Sequence, residues 1–72
     1  MKTVLVFKTS ISRPRHVKLL QPHLDALVAR QGRWNFDLED CDNILRVESK
    51  ILKAQTVCNA LKRYGFYCEE LH

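Results

Sequence analysis

Cysteines and histidines are the side chains of this sequence that could do chemistry, and their spacing limits what that chemistry could be. The cysteines stand at positions 41, 58 and 68, an odd count with no C-x-x-C pair. This pattern argues against a disulfide framework and is typical of a reducing compartment. We predict Cys58 to be a core residue, Cys68 a core or edge residue, and Cys41 an exposed turn residue. His16 and His23 are seven residues apart, on a similar helix face, and are candidate ligands for copper or zinc.

The stretch TSISRPRHVKLL, residues 9 to 20, surrounds His16 with positive charge. Arg13, Arg15 and Lys18 would repel a cation there, so an exposed histidine at a helix start is the simpler interpretation. Arg13 and Arg15 also fall in the first helical turn, where the helix dipole disfavours each cation by about 0.3–1 kcal/mol. Either these side chains point into water, or together with His16 and Lys18 they bind an anion or the acidic surface of a protein.

Length and composition indicate one small globular domain, which we predict to span residues 1–72. The hydrophobic fraction of 46% and the charged fraction of 28% are ordinary for such a domain. No apolar run approaches the roughly 20 residues that cross a bilayer, and the apolar start is too short for a signal peptide, so we expect a cytoplasmic protein without membrane insertion. No nucleophile with a base and an orienting partner is visible, so we expect no enzymatic activity.

The first half of the chain predicts a strand followed by a helix. Lys2 to Thr9 is rich in Val, Leu and Phe, and its alternation places Leu5, Phe7 and Ile11 on one face. The next apolar residues recur at helical spacing, from Val17 to Val28. Ser12 or Arg13 is the expected N-cap, with Pro14 in the first turn, and Gln31 to Arg33 the expected end. Pro22 lies inside this pattern and predicts a kink or a late start.

The second half predicts a hairpin, a helix and a final strand. RWNFDLED alternates strictly, with Trp34, Phe36 and Leu38 on one face; DCDN is the turn, and ILRVES is the return strand. Ser49 is expected to cap the second helix, whose apolar stripe is Ile51, Ala54, Val57, Cys58 and Leu61. Lys62 and Arg63 suit its last turn, Gly65 its left-handed closing position, and FYCEEL forms the last strand.

The order β-α-β-β-α-β predicts an α+β, ferredoxin-like sandwich: a four-stranded antiparallel sheet with two helices on one face. Val4, Val6, Ile44, Arg46 and Glu48 would lie on the open face. The absence of aromatic rings there, with acidic residues mixed among the basic ones of a chain of net charge +4, makes nucleic acid an improbable partner. We expect a monomer or a weak dimer, and pairing of an exposed edge strand stays open.

Three stretches resemble the heavy-metal-associated domains, the fold of copper chaperones. VFKTSISRPRH is similar to the family's first strand and Met-Thr-Cys-x-x-Cys loop, WNFDLED to its second strand, and VCNALKRYGFYCEEL to its closing helix, glycine step and last strand. In gapless register Ile11 falls on the methionine, Ser12 on the threonine, and Arg13 and His16 on the two cysteines. The resemblance covers essentially the whole chain but not the metal-binding motif.

The resemblance implies a domain that has lost its thiolate metal site and kept a docking end. Cu(I) requires thiolates, and the guanidinium of Arg13 has no lone pair to donate. Family members dock on partners through this end with complementary charge, so the resemblance implies a protein-interaction module without a cofactor, whose surface is Arg13, Arg15, His16 and Lys18. The alternative is copper or zinc binding or transfer through an altered site that includes His16, with His23 as a further candidate.

Overall fold

A computed structural model describes residues 3–29, 32–39 and 41–71 of the chain. The elements of the fold are β1 (Thr3–Thr9), α1 (Pro14–Val28), β2 (Arg33–Asp37), β3 (Ile44–Ser49), α2 (Ala54–Arg63) and β4 (Cys68–Leu71). The strands form one antiparallel sheet of order β2-β3-β1-β4, and the helices follow β1 and β3, which confirms the ferredoxin-like α+β prediction.

Alternation along the two central strands separates a core face from an open face. Phe7 of β1 lies opposite Leu45 of β3, and both side chains are fully buried under the helices. Val4 points the other way and is 55% exposed. Helix α1 packs over β2 and β3, and α2 over β4, so the helical layer covers one face, as predicted. Leu20, Leu24, Val57 and Leu61 close the core from the helical side.

Helix α1 begins where the sequence predicted, but Pro22 does not delay its start. Arg13 is the N-cap, in extended backbone and without a side-chain cap bond, and Pro14 opens the first turn. The helix then runs without interruption through Pro22, whose exposed ring faces solvent, so the late start was wrong. It ends at Val28 because Ala29 turns to a positive φ of 52°. The predicted end, Gln31 to Arg33, was too late: residue 31 lies outside the described residues, and Arg33 already belongs to β2.

Ser49 does not cap α2, contrary to the sequence prediction. Its Oγ accepts hydrogen bonds from the backbone N–H groups of Ile51 and Leu52, at 3.3 and 3.1 Å, and so stabilises the loop after β3. The helix begins at Ala54 with Lys53 as its N-cap. Ile51 was also misassigned to the apolar stripe, because it precedes the helix and is 75% exposed.

The end of α2 is a Schellman motif, as the predicted role of Gly65 requires. The N–H of Gly65 donates to the carbonyl of Lys62 at 3.0 Å, and the N–H of Phe66 donates to the carbonyl of Leu61 at 3.1 Å. Gly65 has a φ of 86°, in the left-handed region that glycine adopts without strain. Phe66 belongs to this closing turn rather than to β4, and its ring packs on the core.

The hairpin differs from its prediction in two details. β2 ends at Asp37 rather than extending through residue 40, which lies outside the described residues. Ile44, expected on the open face, is only 6% exposed, because β3 is an interior strand and Ile44 lies between Lys8 and Asp37 on its two neighbours. Gly32 precedes β2 so closely against β3 that an added Cβ would lie 2.2 Å from the carbonyl oxygen of Glu48.

Replacing Gly32 with alanine should therefore destabilise the hairpin. The new methyl group meets a backbone oxygen, which moves only if the β2–β3 pairing shifts, so we expect a loss of about 1–3 kcal/mol in unfolding free energy. Urea denaturation followed by circular dichroism measures it. Asn35→Ala in the adjoining strand β2 is the control and should change stability little, because Asn35 is exposed. Equal stability of G32A and the parent chain would contradict the close approach.

Candidate functional site

The predicted docking residues lie at the end of the sheet where β1 stops, α1 starts and α2 finishes. Thr9 pairs with Cys68 there, which brings the loop after β1 beside the loop before β4. Two hydrogen bonds join the loops: the N–H of Ser10 donates to the carbonyl of Tyr67 at 3.2 Å, and the N–H of Tyr67 donates to the Ser10 hydroxyl at 2.8 Å. The start of α1 is thus held by two loops rather than by a cap of its own.

Thr9 is the buried polar centre of this end. Its side chain donates a hydrogen bond to the carbonyl of Asn43 at 2.7 Å and accepts one from the N–H of Ile11 at 3.1 Å, while its own N–H donates to the carbonyl of Asp42 at 3.2 Å. The residue is 4% exposed. One side chain therefore ties the β2–β3 turn to the segment that enters α1, and the sequence analysis assigned it no such role.

Arg13, Arg15 and Lys18 form the basic first turn, the name used below for these three residues. All three are exposed, and none lies within ion-pair distance of a carboxylate among residues 3–29, 32–39 and 41–71. The cations of the sheet behave differently, because Lys8, Arg33 and Arg46 each have an acidic neighbour within 4.0 Å. The basic first turn therefore presents positive charge that nearby described carboxylates do not neutralise.

His16 is not the exposed histidine that the sequence suggested. It is half-buried, with its ring centroid 5.0 Å from that of Phe66 in a tilted arrangement. Its Nδ1 is buried and has no hydrogen-bond partner in the described part of the chain. His16 thus packs against Phe66 of the Schellman turn and is less exposed than the three residues of the basic first turn.

His23 contacts a different residue, Tyr64. The two rings are 4.6 Å apart, and the tyrosine hydroxyl lies 2.5 Å from Nε2 of His23. Seven residues along a helix correspond to a rise of about 10.5 Å, whereas zinc–nitrogen bonds are about 2.0–2.1 Å long. His16 and His23 are therefore not brought together as ligands of one ion. Within the described residues, no group of three or more potential ligands surrounds a common point.

An apolar groove beside the basic first turn was not foreseen from the sequence. It has a volume of about 360 Å³ and lies between the start of α1 and β2. Lys18 is its charged lining residue, and its apolar walls are Pro14, Val17, Trp34, Phe36 and Leu38. The indole N–H of Trp34 donates to the carboxylate of Asp25 at 2.8 Å, which fixes the ring at the groove wall.

The predicted burial is confirmed for Cys41 and Cys68, whereas Cys58, predicted as a buried core residue, is only partly buried against the core. Cys41 is exposed, Cys58 half-buried and Cys68 buried, and all three are free thiols. Burial, together with a hydrogen bond between the Cys68 and Cys58 side chains, raises the pKa of the Cys68 thiol well above its ordinary value. Helical periodicity and strand alternation predicted the location of each thiol separately. The contact between Cys58 and Cys68 arises only from the packing of α2 on β4.

The chain matches no protein-family model, no curated protein and no solved structure. Neither helix of the described residues has the length and apolar character needed to cross a membrane.

Thr9→Val should show how far this end depends on one hydroxyl. Valine keeps the branched shape but leaves the Asn43 carbonyl and the Ile11 N–H without partners, so unfolding free energy should fall by about 1–3 kcal/mol. Amide exchange at Ile11, measured by NMR, should accelerate in T9V. In the control Thr9→Ser, which keeps the hydroxyl, Ile11 should stay protected. Equal exchange in the two variants would contradict the role of the hydroxyl.

Stability should fall as the pH rises above about 8.5, where cysteines of the unfolded chain ionise. The buried thiol of Cys68 keeps its proton in the folded state, so the folded chain binds more protons and the unfolding free energy decreases with pH, by at most about 1.4 kcal/mol per unit. Urea denaturation between pH 7.5 and 9.5 measures the slope. Cys68→Ala should flatten it and Cys41→Ala should not; parallel slopes for C68A and the parent chain would contradict the assignment.

Proposed function

We propose that this chain is a non-enzymatic interaction domain whose basic first turn docks an acidic segment of a partner protein. The observation that carries the proposal is the lack of a carboxylate near Arg13, Arg15 and Lys18 within the described residues, beside a sheet whose cations Lys8, Arg33 and Arg46 are paired. An acidic partner would supply the missing countercharge, and guanidinium groups suit carboxylates because they can bind them in bidentate fashion.

Helix electrostatics favour the same partner. Two arginines stand at the N-cap and first turn of α1, where the positive end of the helix dipole opposes them. A carboxylate bound there would interact favourably with both the dipole and the guanidinium groups, so binding would relieve an unfavourable arrangement of the free protein. His16 contributes to the proposed surface by packing on Phe66 and supporting the turn that carries the arginines.

The proposal includes kinship with the heavy-metal-associated domains, as a member without their thiolate site. The ferredoxin-like fold is the one that the resemblance implies, and α1 begins where the family carries its metal loop. The lack of a lone pair on Arg13, and the packing of His16 and His23 against separate aromatic rings, support a domain without a copper or zinc site. Three free thiols support a reducing, cytoplasmic location.

Charge reversal of the basic first turn tests the proposal. The probe is a synthetic glutamate-rich peptide titrated into isotope-labelled protein at low salt, with binding followed by amide shifts. For the parent chain we expect saturable shifts centred on residues 13–18. The double variant Arg13→Glu/Arg15→Glu should weaken binding by roughly tenfold or more, because both attractions become repulsions.

The matched control is Lys50→Glu/Lys53→Glu, which changes the net charge by the same amount. These two lysines are exposed and lie after β3, at the other end of the sheet. Binding by this control should stay close to that of the parent chain, apart from a small general effect of charge. Equal loss in the two double variants would mean attraction to net charge alone and would contradict a docking surface at α1.

A further inference from the structure

The edge strands of the sheet are β2 and β4. Along the outer side of each, the backbone N–H and C=O groups are not paired with another strand of the sheet. An exposed edge strand is a template for pairing with another strand, so edges usually carry features that block such pairing. The two edges of this chain differ in charge pattern. β2 reads RWNFD, with opposite charges at its two ends, whereas β4 reads CEEL, with two adjacent glutamates.

We propose that a second copy of this chain docks antiparallel along β2, with a two-fold axis that is normal to the sheet and passes midway between the Asn35 residues of the two copies. In this register Arg33 lies opposite Asp37 of the second copy, and Trp34 opposite its Phe36. Among registers centred on a residue of β2, this one pairs all five residues of the strand, because displacement in either direction leaves an end unpaired or reaches the turn after Asp37. The two sheets then join into one.

Charge complementarity on the open face supports the second copy as the occupant. Within one chain, Arg33 lies 3.8 Å from Glu48, and Asp37 lies 4.0 Å from Arg46. Pairing of two β2 strands would place the Arg33 of one copy beside the Asp37 of the other, so that charges alternate in sign across the junction. The Arg33 side chain is 76% exposed and is free to make this second contact. Opposite charges facing each other across strands stabilise a sheet.

The helical face supports the same occupant by apolar contact. Trp34 and Phe36 are both half-buried, pack edge to face at 5.8 Å, and line the groove under α1. Because directly opposed residues in an antiparallel pair share a face, each Trp34 would meet the Phe36 of the other copy there. The groove beside each strand would then adjoin the same residues of the second copy.

The other edge strand, β4, is unsuited to pairing with a second copy of itself because of its two glutamates. A two-fold register centred on Glu69 places that glutamate opposite its own copy, and a register centred on Glu70 does the same for Glu70. Like charges directly opposed across strands are destabilising. The charges of β4 therefore disfavour pairing with a second copy of the chain, while those of β2 favour it. This contrast identifies β2 as the pairing edge and a second copy as its partner.

Sedimentation velocity over a range of protein concentrations tests the proposal with the chain alone. The parent chain should dimerise reversibly, and dilution should shift the emission of Trp34, the single tryptophan. Arg33→Glu or Asp37→Arg alone should each raise the dimer dissociation constant roughly tenfold, because two attractive pairs per dimer become repulsive. The double variant R33E/D37R restores opposite charges across the junction and should recover affinity close to that of the parent chain.

Unfolding free energy separates this effect from damage to the monomer. Each single variant breaks one ion pair within the chain and the double variant breaks both, so monomer stability should be lowest where dimer affinity recovers. Glu69→Lys on the other edge is the control and should leave dimerisation unchanged. A chain that stays monomeric at millimolar concentration, a dimer insensitive to R33E, a double variant that stays dissociated, or a dimer altered by E69K would each overturn the proposal.

Discussion

The hydrogen bonds of Thr9 are the constraint on which the end of this domain around the start of α1 depends. β1 occupies an interior position in the sheet and ends at Thr9, where the chain must leave the sheet and reverse into α1. Ile11 in this segment is fully buried, so its backbone groups need partners. The Thr9 hydroxyl donates a hydrogen bond to the carbonyl of Asn43 and accepts one from the N–H of Ile11. Thr9 also lies opposite Cys68 in the pairing of β1 with β4, the fourth strand. These bonds fix the segment that enters α1, where Arg13 offers no side-chain cap.

Local patterns in the sequence were sufficient to predict the fold, while contacts between distant elements were not predictable. Alternation in β2 and β3, and the glycine at position 65, located their elements because each signal lies within a few residues. Ser49 was misassigned for the same reason: a serine before an apolar run resembles a cap, yet its loop geometry directs the hydroxyl to Ile51 and Leu52 instead. The burial of His16 under Phe66 joins positions 50 residues apart in sequence, and no periodicity encodes it.

Among the described cations, those of the sheet have a carboxylate within 4.0 Å, whereas those of the helices and of the loop before α2 do not. On the open face of the sheet, cross-strand register brings Arg33 to Glu48 and Arg46 to Asp37, so these charges compensate one another locally. At the start of α1, consecutive cations without interspersed acids have no such register to supply partners. A net charge of +4 is unremarkable as a sum. The distribution of this charge is informative. Exposed ion pairs contribute only about 0–1 kcal/mol each to stability. Charges that have no partner within the chain remain available for binding.

The two proposed surfaces are compatible because they use different parts of the same architecture. An axis normal to the sheet keeps both helical layers on one face, and α1 is the helix that packs over β2, so the two copies of α1 would flank the axis. Antiparallel pairing would place their basic first turns toward opposite ends of the joined sheet. A partner with two acidic segments could then engage both turns at once, and linkage of the second contact to the first would raise its affinity without any new kind of contact. Self-pairing of an edge strand would in this way convert a weak surface charge cluster into a bivalent one.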